Sequence, residues 1–453
     1  MKVSGQTAPG PKGYPFIGSI LAMQQDNLGF LLRCVREHGD TVQFSVGPFK
    51  MILLTRPEDV KHILQENHRN YTKGTIAYNQ LRKFLGNGLI FNEGGESWQK
   101  QRRLAQPAFH PEYIRSFVDH FNACSASLIA RWKQAASANE TVSMLPEMMK
   151  ITLQVAGSTL FSRDLLVDAD AVGRSLAVLL PEIDHRIRAI TPWNRFLPTA
   201  WNRRVRHARR ELDSLIYGII AERRLGGSDH QDLLSMYMKA VDQDTGIGMT
   251  DQQVRDEVMS IFLAGHETTA NALTWLWYLL SLNPGVEKKI RLEIDAVLGG
   301  REPGLADFPR LKYTEMAFQE SLRLYPPVWL IGRRCTAADH VGAYAVPKGA
   351  IVILSPFITH RDAKYWPDPE RFEPERFTTR GGAAGVARFD YFPFAGGPRA
   401  CIGQRFATME AVTVIARILQ EFELERISLA PATPDSSITL RPRHPIIFKI
   451  RNR

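Results

Sequence analysis

Apolar residues recur at helical spacing through most of the chain, and one stretch sets the scale. From Thr250 to Leu282 the pattern runs for about 33 residues, long for a helix in a globular protein. Thr250-Asp251-Gln252-Gln253 supplies the start, with Thr at the N-cap and Gln at N3 closing a capping box. Ile261, Phe262, Leu263, Ala264, Leu273, Trp275, Leu276 and Trp277 cover the whole circumference, so the helix is predicted to be buried on all sides. Asn283-Pro284 ends it and opens the next helix with proline in the first turn. The prediction is a central helix crossing the fold.

Other elements fall around it. Asn27 to His38 reads as an amphipathic helix, and Pro57 opens another. Thr41–Val46 and Met51–Leu54 flank a Gly-Pro turn and read as a hairpin. Residues 70–97 form an irregular stretch with glycines at 74, 86, 88, 94 and 95. Tyr113 to Arg224 holds several helices. Its least regular part, 160–201, is punctuated by Pro181, Pro192 and Pro198. Arg203 to Arg210 reads as a solvated basic face and Gly226-Gly227-Ser228 as a linker. A helix is expected over Tyr313–Leu324, short strands at Tyr344–Val346 and Ile351–Leu354, and a helix from Phe406 to Leu419. A strand pair is expected between Ile438 and Ile450. No repeat of 20–50 residues is visible. The fold class is mainly α with small β-sheets, one domain over 1–453, with 1–8 flexible.

Composition removes several function classes. The four cysteines at 34, 124, 335 and 401 lie too far apart for a disulfide framework or a zinc cluster, which indicates a reducing, cytoplasmic setting. The net charge of +10 is spread without a run of like charges. It suits an acidic protein partner or a solvated surface, and no nucleic-acid motif accompanies it. The apolar run Tyr14 to Met23 is interrupted by Gly18 and Ser19 and is too short to span a membrane.

Four constellations carry chemistry. In Phe394-Ala-Gly-Gly-Pro-Arg-Ala-Cys401-Ile-Gly403 a single thiol sits where a loop feeds a helix. Free N–H groups and the helix dipole favour a thiolate there. Glycines let backbone approach a flat partner, and Arg399 adds a cation. The residues fit either a small buried thiol or a metal cofactor bearing acidic groups. In Ala264-Gly265-His266-Glu267-Thr268-Thr269 a glycine and two threonines interrupt the central helix, which marks either close packing or a functional bend. Trp98 and Arg102, four apart, put two donors on one helix face, and Glu320 and Arg323, three apart, can pair on another.

The spacing Phe-x-x-Gly-x-Arg-x-Cys-x-Gly over 394–403 resembles the haem-binding signature of the cytochrome P450 family. Members of that family hold haem iron through a cysteine thiolate. The other constellations occur in the family's order, and the resemblance extends from about Pro9 to Ile450. It implies a P450 fold and haem b ligated by Cys401. Phe394, Gly397 and Gly403 would shape the ligand loop. Trp98, Arg102, Arg334 (five before Asp339) and Arg399 would meet the propionates. Ala264 and Gly265 would leave room over the haem, Thr268 would hold water and hydrogen-bond oxygen, and Glu267 would relay protons. Glu320, Arg323 and Arg376 would form a structural triad. Residues 70–97 and 160–201 would be pocket loop and lid, with Ala264, Val328, Trp329 and Ile438 lining the pocket. The implied activity is insertion of one atom of O2 into an apolar lipid, terpenoid or steroid, with NAD(P)H electrons from a separate ferredoxin or flavodoxin and its reductase. The protein would be a monomer. A peroxygenase or isomerase, or a non-enzymatic haem sensor, is the alternative.

Overall fold

The computed structural model describes residues 5–163, 169–188, 199–226, 232–241, 246, 248–378 and 389–453. The central helix Asp251–Leu282 has 32 residues, about 48 Å at 1.5 Å per residue. Its capping box is formed: Thr250 Oγ1 accepts from Gln253 N–H, and the Gln253 side chain accepts from Thr250 N–H. Trp275, Leu276 and Trp277 have at most 2% of their surface exposed. Trp275 stacks on Tyr325 with ring centroids 3.9 Å apart. The helix Met144–Phe161 lies along one side, where Thr152 Oγ1 donates to His266 O at 3.0 Å. The helix Gln404–Glu421, which follows the Cys401 loop, joins the same core through Ile415, Ile418 and Leu419.

A five-stranded sheet packs beside the helices in the order Thr41–Val46, Phe49–Leu54, Ile351–Leu354, Ile331–Cys335, Tyr71–Thr72. The second and third strands are parallel and the rest antiparallel. The helices Asn27–His38 and Pro57–Lys61 and the strands Tyr344–Val346 and Ile351–Leu354 stand where the pattern predicts them.

Four expectations are corrected. The irregular stretch 70–97 contains a helix, Ile76–Leu85, with Leu81, Phe84 and Leu85 buried; glycines at its end hid that period. Pro181 does not break the chain but lies inside the helix Ala169–Arg188, held there by the burial of Val172, Leu176, Leu179 and Ile183. Pro192 and Pro198 fall outside the described residues, as do 1–4 and Gly227-Ser228. The flexible start is not free at Gln6, whose N–H donates to Ala343 O and whose carbonyl accepts from Ala345 N–H. The expected strand pair between Ile438 and Ile450 is two elements with different partners. Leu440–Pro442 pairs with Pro434–Ser436, whereas Ile447–Asn452 pairs with Phe422–Arg426 and Thr141–Ser143.

Candidate active site

Cys401 lies three residues before the helix Gln404–Glu421. Its loop is locked by backbone geometry: Cys401 N–H donates to Phe394 O at 2.9 Å. Ala395 and Gly397 take left-handed conformations, φ 58° and 66°. A Cβ on Gly397 would lie 1.9 Å from Leu64 O, so only glycine fits. The thiol is surface-accessible although protein surrounds it, so it faces an interior cleft. Burial pushes the thiol up, against the Gly403 N–H, Arg102 and Lys73. Burial thus opposes the lowering expected from the helix position, and a bound metal would favour the thiolate.

Four cations converge near it. Lys73 Nζ donates to Ile90 O at 2.6 Å, Arg102 Nη1 to Ala400 O at 3.3 Å, Arg333 Nη1 to Gly332 O at 2.9 Å and Arg399 Nη1 to Asn92 O at 2.9 Å. The Arg399 guanidinium also sits 4.4 Å from the Trp98 ring centroid, so Trp98 is its platform as well as a donor. Burial, then Arg333 and Arg399, holds Lys73 well below the usual lysine range. Burial and Arg333 push Arg399 down to about 10. None of the four is ion-paired with a carboxylate among the described residues, although buried charge of one sign is costly.

Two of these cations change the predicted set. Along the strand Ile331–Cys335 side chains alternate, so Arg333 is 3% exposed and turns to the cluster while Arg334 is exposed. The position expected of Arg334, facing the cation cluster, is taken by Arg333. Alternation against the buried Ile331 and Cys335 was the signal that could have chosen between them. Lys73 was missed because it stands alone in a loop without periodicity.

The central helix carries the second constellation. A Cβ on Gly265 would meet nothing within 4 Å, and one on Gly403 only Phe109 at 3.9 Å. No protein neighbour demands glycine at either place, so both belong to a cradle that a side chain would fill. Thr268 Oγ1 donates to Ala264 O at 2.5 Å, the back-bond expected of a threonine that bends a helix. Glu267 turns another way, accepting from Thr439 Oγ1 at 2.6 Å. Burial raises its carboxyl, against Thr439 and Arg441. It reaches a cavity of about 470 Å³ shared with Asp184, Arg188, Asp435, Ile438 and Arg441. Ile438 thus stands at a wall beside Glu267. Val328 is 40% exposed. Trp329 is buried in one cluster with Leu31, Phe30 and Phe357, and its indole donates to the carbonyl of Ser437, which lines the same cavity as Glu267. After the proline pair Pro326-Pro327, Val328 is exposed and Trp329 buried.

Glu320, Arg323 and Arg376 come together as expected. Arg323 meets Glu320 at 2.7 and 2.9 Å, and Arg376 Nε lies 3.4 Å from Glu320 Oε1.

An accessible thiol beside cations that no carboxylate of the described residues pairs with, and open space at Gly265 and Gly403, fit a flat metal cofactor with two acidic arms. The comparisons agree. The family model for cytochrome P450 matches residues 8–450. The chain is 38% identical to cyclooctatin synthase of Streptomyces melanosporofaciens over 96% of this chain and 92% of that protein. It is 35% identical to cyclooctat-9-en-7-ol 5-monooxygenase of the same organism, over 93% and 90%. With pentalenene oxygenase of Streptomyces avermitilis it shares 30% identity over 98% and 96%. The chain belongs to the cytochrome P450 family. It is a haem-thiolate monooxygenase that uses haem b, O2 and NAD(P)H-derived electrons delivered by partners. Among the described residues no helix is long and apolar enough to cross a membrane.

Proposed function

We propose that Cys401 is the axial ligand of the haem and that Lys73, Arg102, Arg333 and Arg399 hold its propionates, with Trp98 bracing Arg399. The observation that carries this is a set of four cations, none ion-paired with a carboxylate among the described residues, beside an accessible thiol. Two carboxylates placed among them would offset the burial and the mutual repulsion that depress Lys73 and Arg399. Thiolate-bound haem supplies the electron density that favours O–O cleavage. The chain's own residues do the rest. Ala264, Gly265 and Gly403 leave space for the cofactor and a small molecule. The Thr268 hydroxyl, back-bonded to Ala264 O, turns to orient water in the groove. Glu267 takes protons from the cavity that it shares with Arg441 and Asp184 and returns to the groove by rotating away from Thr439.

The substrate in this reading is an apolar terpenoid hydrocarbon or its alcohol, supported by the names of the relatives. The protein acts as a cytoplasmic monomer with a separate ferredoxin or flavodoxin and its reductase. Arg103 and Arg405, both exposed, and Lys100 mark the docking face. Arg399 does not contribute to it, being drawn inward by Trp98 and Asn92. Electron transfer from an acidic donor should slow as salt is added.

The test is a screen of terpenoid hydrocarbons and alcohols for a substrate-induced spectral shift, then product analysis under isotopically labelled O2. Labelled product is expected in wild type. Thr268→Ala should bind the same compound but lose about 10- to 100-fold in product per reductant, worth about 1.4–2.7 kcal/mol. Unlabelled product, or Thr268→Ala coupled as well as wild type, overturns the reading.

A further inference from the structure

The segment 85–92 joins the helix Ile76–Leu85 to the helix Gly95–Ala105, which carries Trp98 and Arg102. Its backbone is gripped from two directions. Three consecutive residues of the central helix take alternate positions along it. Arg255 Nη1 donates to Leu85 O at 3.0 Å, Asn87 N–H donates to Asp256 Oδ2 at 2.8 Å, and Leu89 N–H donates to Glu257 Oε2 at 3.0 Å. The intervening glycines allow this approach. A Cβ on Gly86 would lie 2.1 Å from Asp256 Oδ1, and one on Gly88 2.2 Å from Asp256 O. The next three carbonyls hold cations: Ile90 O accepts from Lys73 at 2.6 Å, Phe91 O from Arg82 at 2.8 Å and Asn92 O from Arg399 at 2.9 Å. Lys73 and Arg399 belong to the cluster at Cys401.

Glu257 is the unusual member of this set. It has no exposed surface, and its Oε1 has no partner, like the hydroxyl of neighbouring Tyr237. A carboxyl group is costly to bury for one hydrogen bond. The fold accepts that cost at the one place where the central helix can hold the Leu89 N–H.

We propose that the segment 85–92 is a strap coupling the central helix to the cations that hold the cofactor, and that Glu257 is its positioning residue. This rests on the reading of Lys73 and Arg399 as propionate partners. Without the Glu257 acceptor the Leu89 N–H is orphaned in the interior. The strap then moves, the carbonyls of Ile90 and Asn92 leave their places, and Lys73 and Arg399 lose the acceptors that aim them. Glu257 hydrogen-bonds none of the four cations, so its influence travels through the strap.

The experiment uses haem-loaded protein as wild type, Glu257→Ala and Glu257→Gln. Two quantities are read: the rate of haem transfer to a haem-scavenging apoprotein, and amide hydrogen exchange across Leu89–Asn92 with and without haem. Glu257→Ala should lose haem about tenfold faster, as when an outer partner of a ligand is removed, and should exchange faster at Leu89. Glu257→Gln, which keeps an acceptor oxygen, should restore both. Glu257→Ala combined with Lys73→Met should be non-additive in the haem-loss rate, although side chains without a shared contact normally add. Should Glu257→Ala not fold, Asp256→Ala, which frees the Asn87 N–H, carries the same expectation. Additive effects, unchanged exchange, or fast exchange at Leu89 with wild-type haem retention would each overturn the proposal. A protein that takes up no haem would instead overturn the reading of the cationic cluster, while exchange at Leu89 would still report on the strap.

Discussion

Glu320 and Arg323 meet through two parallel hydrogen bonds, and neither side chain has any exposed surface. All five guanidinium N–H groups of Arg323 find acceptors, because the carbonyls of His360, Pro369 and Arg371 take the three that Glu320 leaves. Removing one member strands the other. Arg323→Ala and Glu320→Ala should each cost about 3–5 kcal/mol, a large share of the roughly 5–15 kcal/mol that a native fold has. Denaturant melts of the recovered protein, and its haem content, measure this. Wild-type stability in Arg323→Ala would show that the pair is dispensable.

Cys401→Ala should keep the fold, since the loop is held by Gly397 and by backbone bonding to Phe394. Its reduced CO complex should lose the red-shifted band of thiolate ligation. Near-UV dichroism checks the fold. A normal thiolate band in the variant would exclude Cys401 as ligand.

Arg333 and Arg334 are adjacent, but alternation of the strand gives them different fates. Arg333→Gln should weaken haem retention about tenfold or more, whereas Arg334→Gln should stay near wild type, as exposed substitutions do within about 0.5 kcal/mol. Haem-loss rates compare the two directly. Equal rates would remove Arg333 from the cofactor's surroundings.

The legible part of the molecule was what its own periodicity or spacing marks. The central helix, its capping box and the Glu320–Arg323 pair follow from patterns within a few residues. The choice of Arg333 over Arg334 depends on which face of a two-residue repeat meets the core, and the spacing to Asp339 does not carry that. The partner of the Trp329 indole was not legible either, because Ser437 lies more than a hundred residues away in sequence. Lys73 has no pattern at all, because its partners come from three distant stretches. The thiol's upward shift was illegible for a related reason: burial is a property of the assembled fold, while the helix terminus is local.

Burial pushes the Glu257 carboxyl from its ordinary 4.5 up to about 7, with Asp256 adding to it and the Leu89 N–H opposing. Because the folded protein favours the neutral acid, the associated stability is fully present below the unfolded value. It is lost as pH rises toward and through about 7. The full difference is about 3 kcal/mol at about 1.4 kcal/mol per tenfold. Glu257→Gln should remove this dependence and be the more stable protein at pH 8. Paired melts from pH 4 to 8 check it, and parallel curves would place Glu257 at an ordinary pKa.

The five-stranded sheet orders strands from both ends of the chain, with Phe49–Leu54 lying parallel to Ile351–Leu354 and Tyr71–Thr72 against Ile331–Cys335. Chain synthesis runs from one end to the other, so Lys73 and Arg102 emerge from the ribosome long before Arg333, Arg399 and Cys401. Pairings this far apart in sequence also form slowly. The cofactor seat therefore cannot close before Arg333, Arg399 and Cys401 have been made. Haem capture waits for them, and until then the early strands keep an open edge for partners more than 250 residues downstream. Expression yield should accordingly depend on haem supply once that downstream stretch is made and on how well the edge is shielded before it.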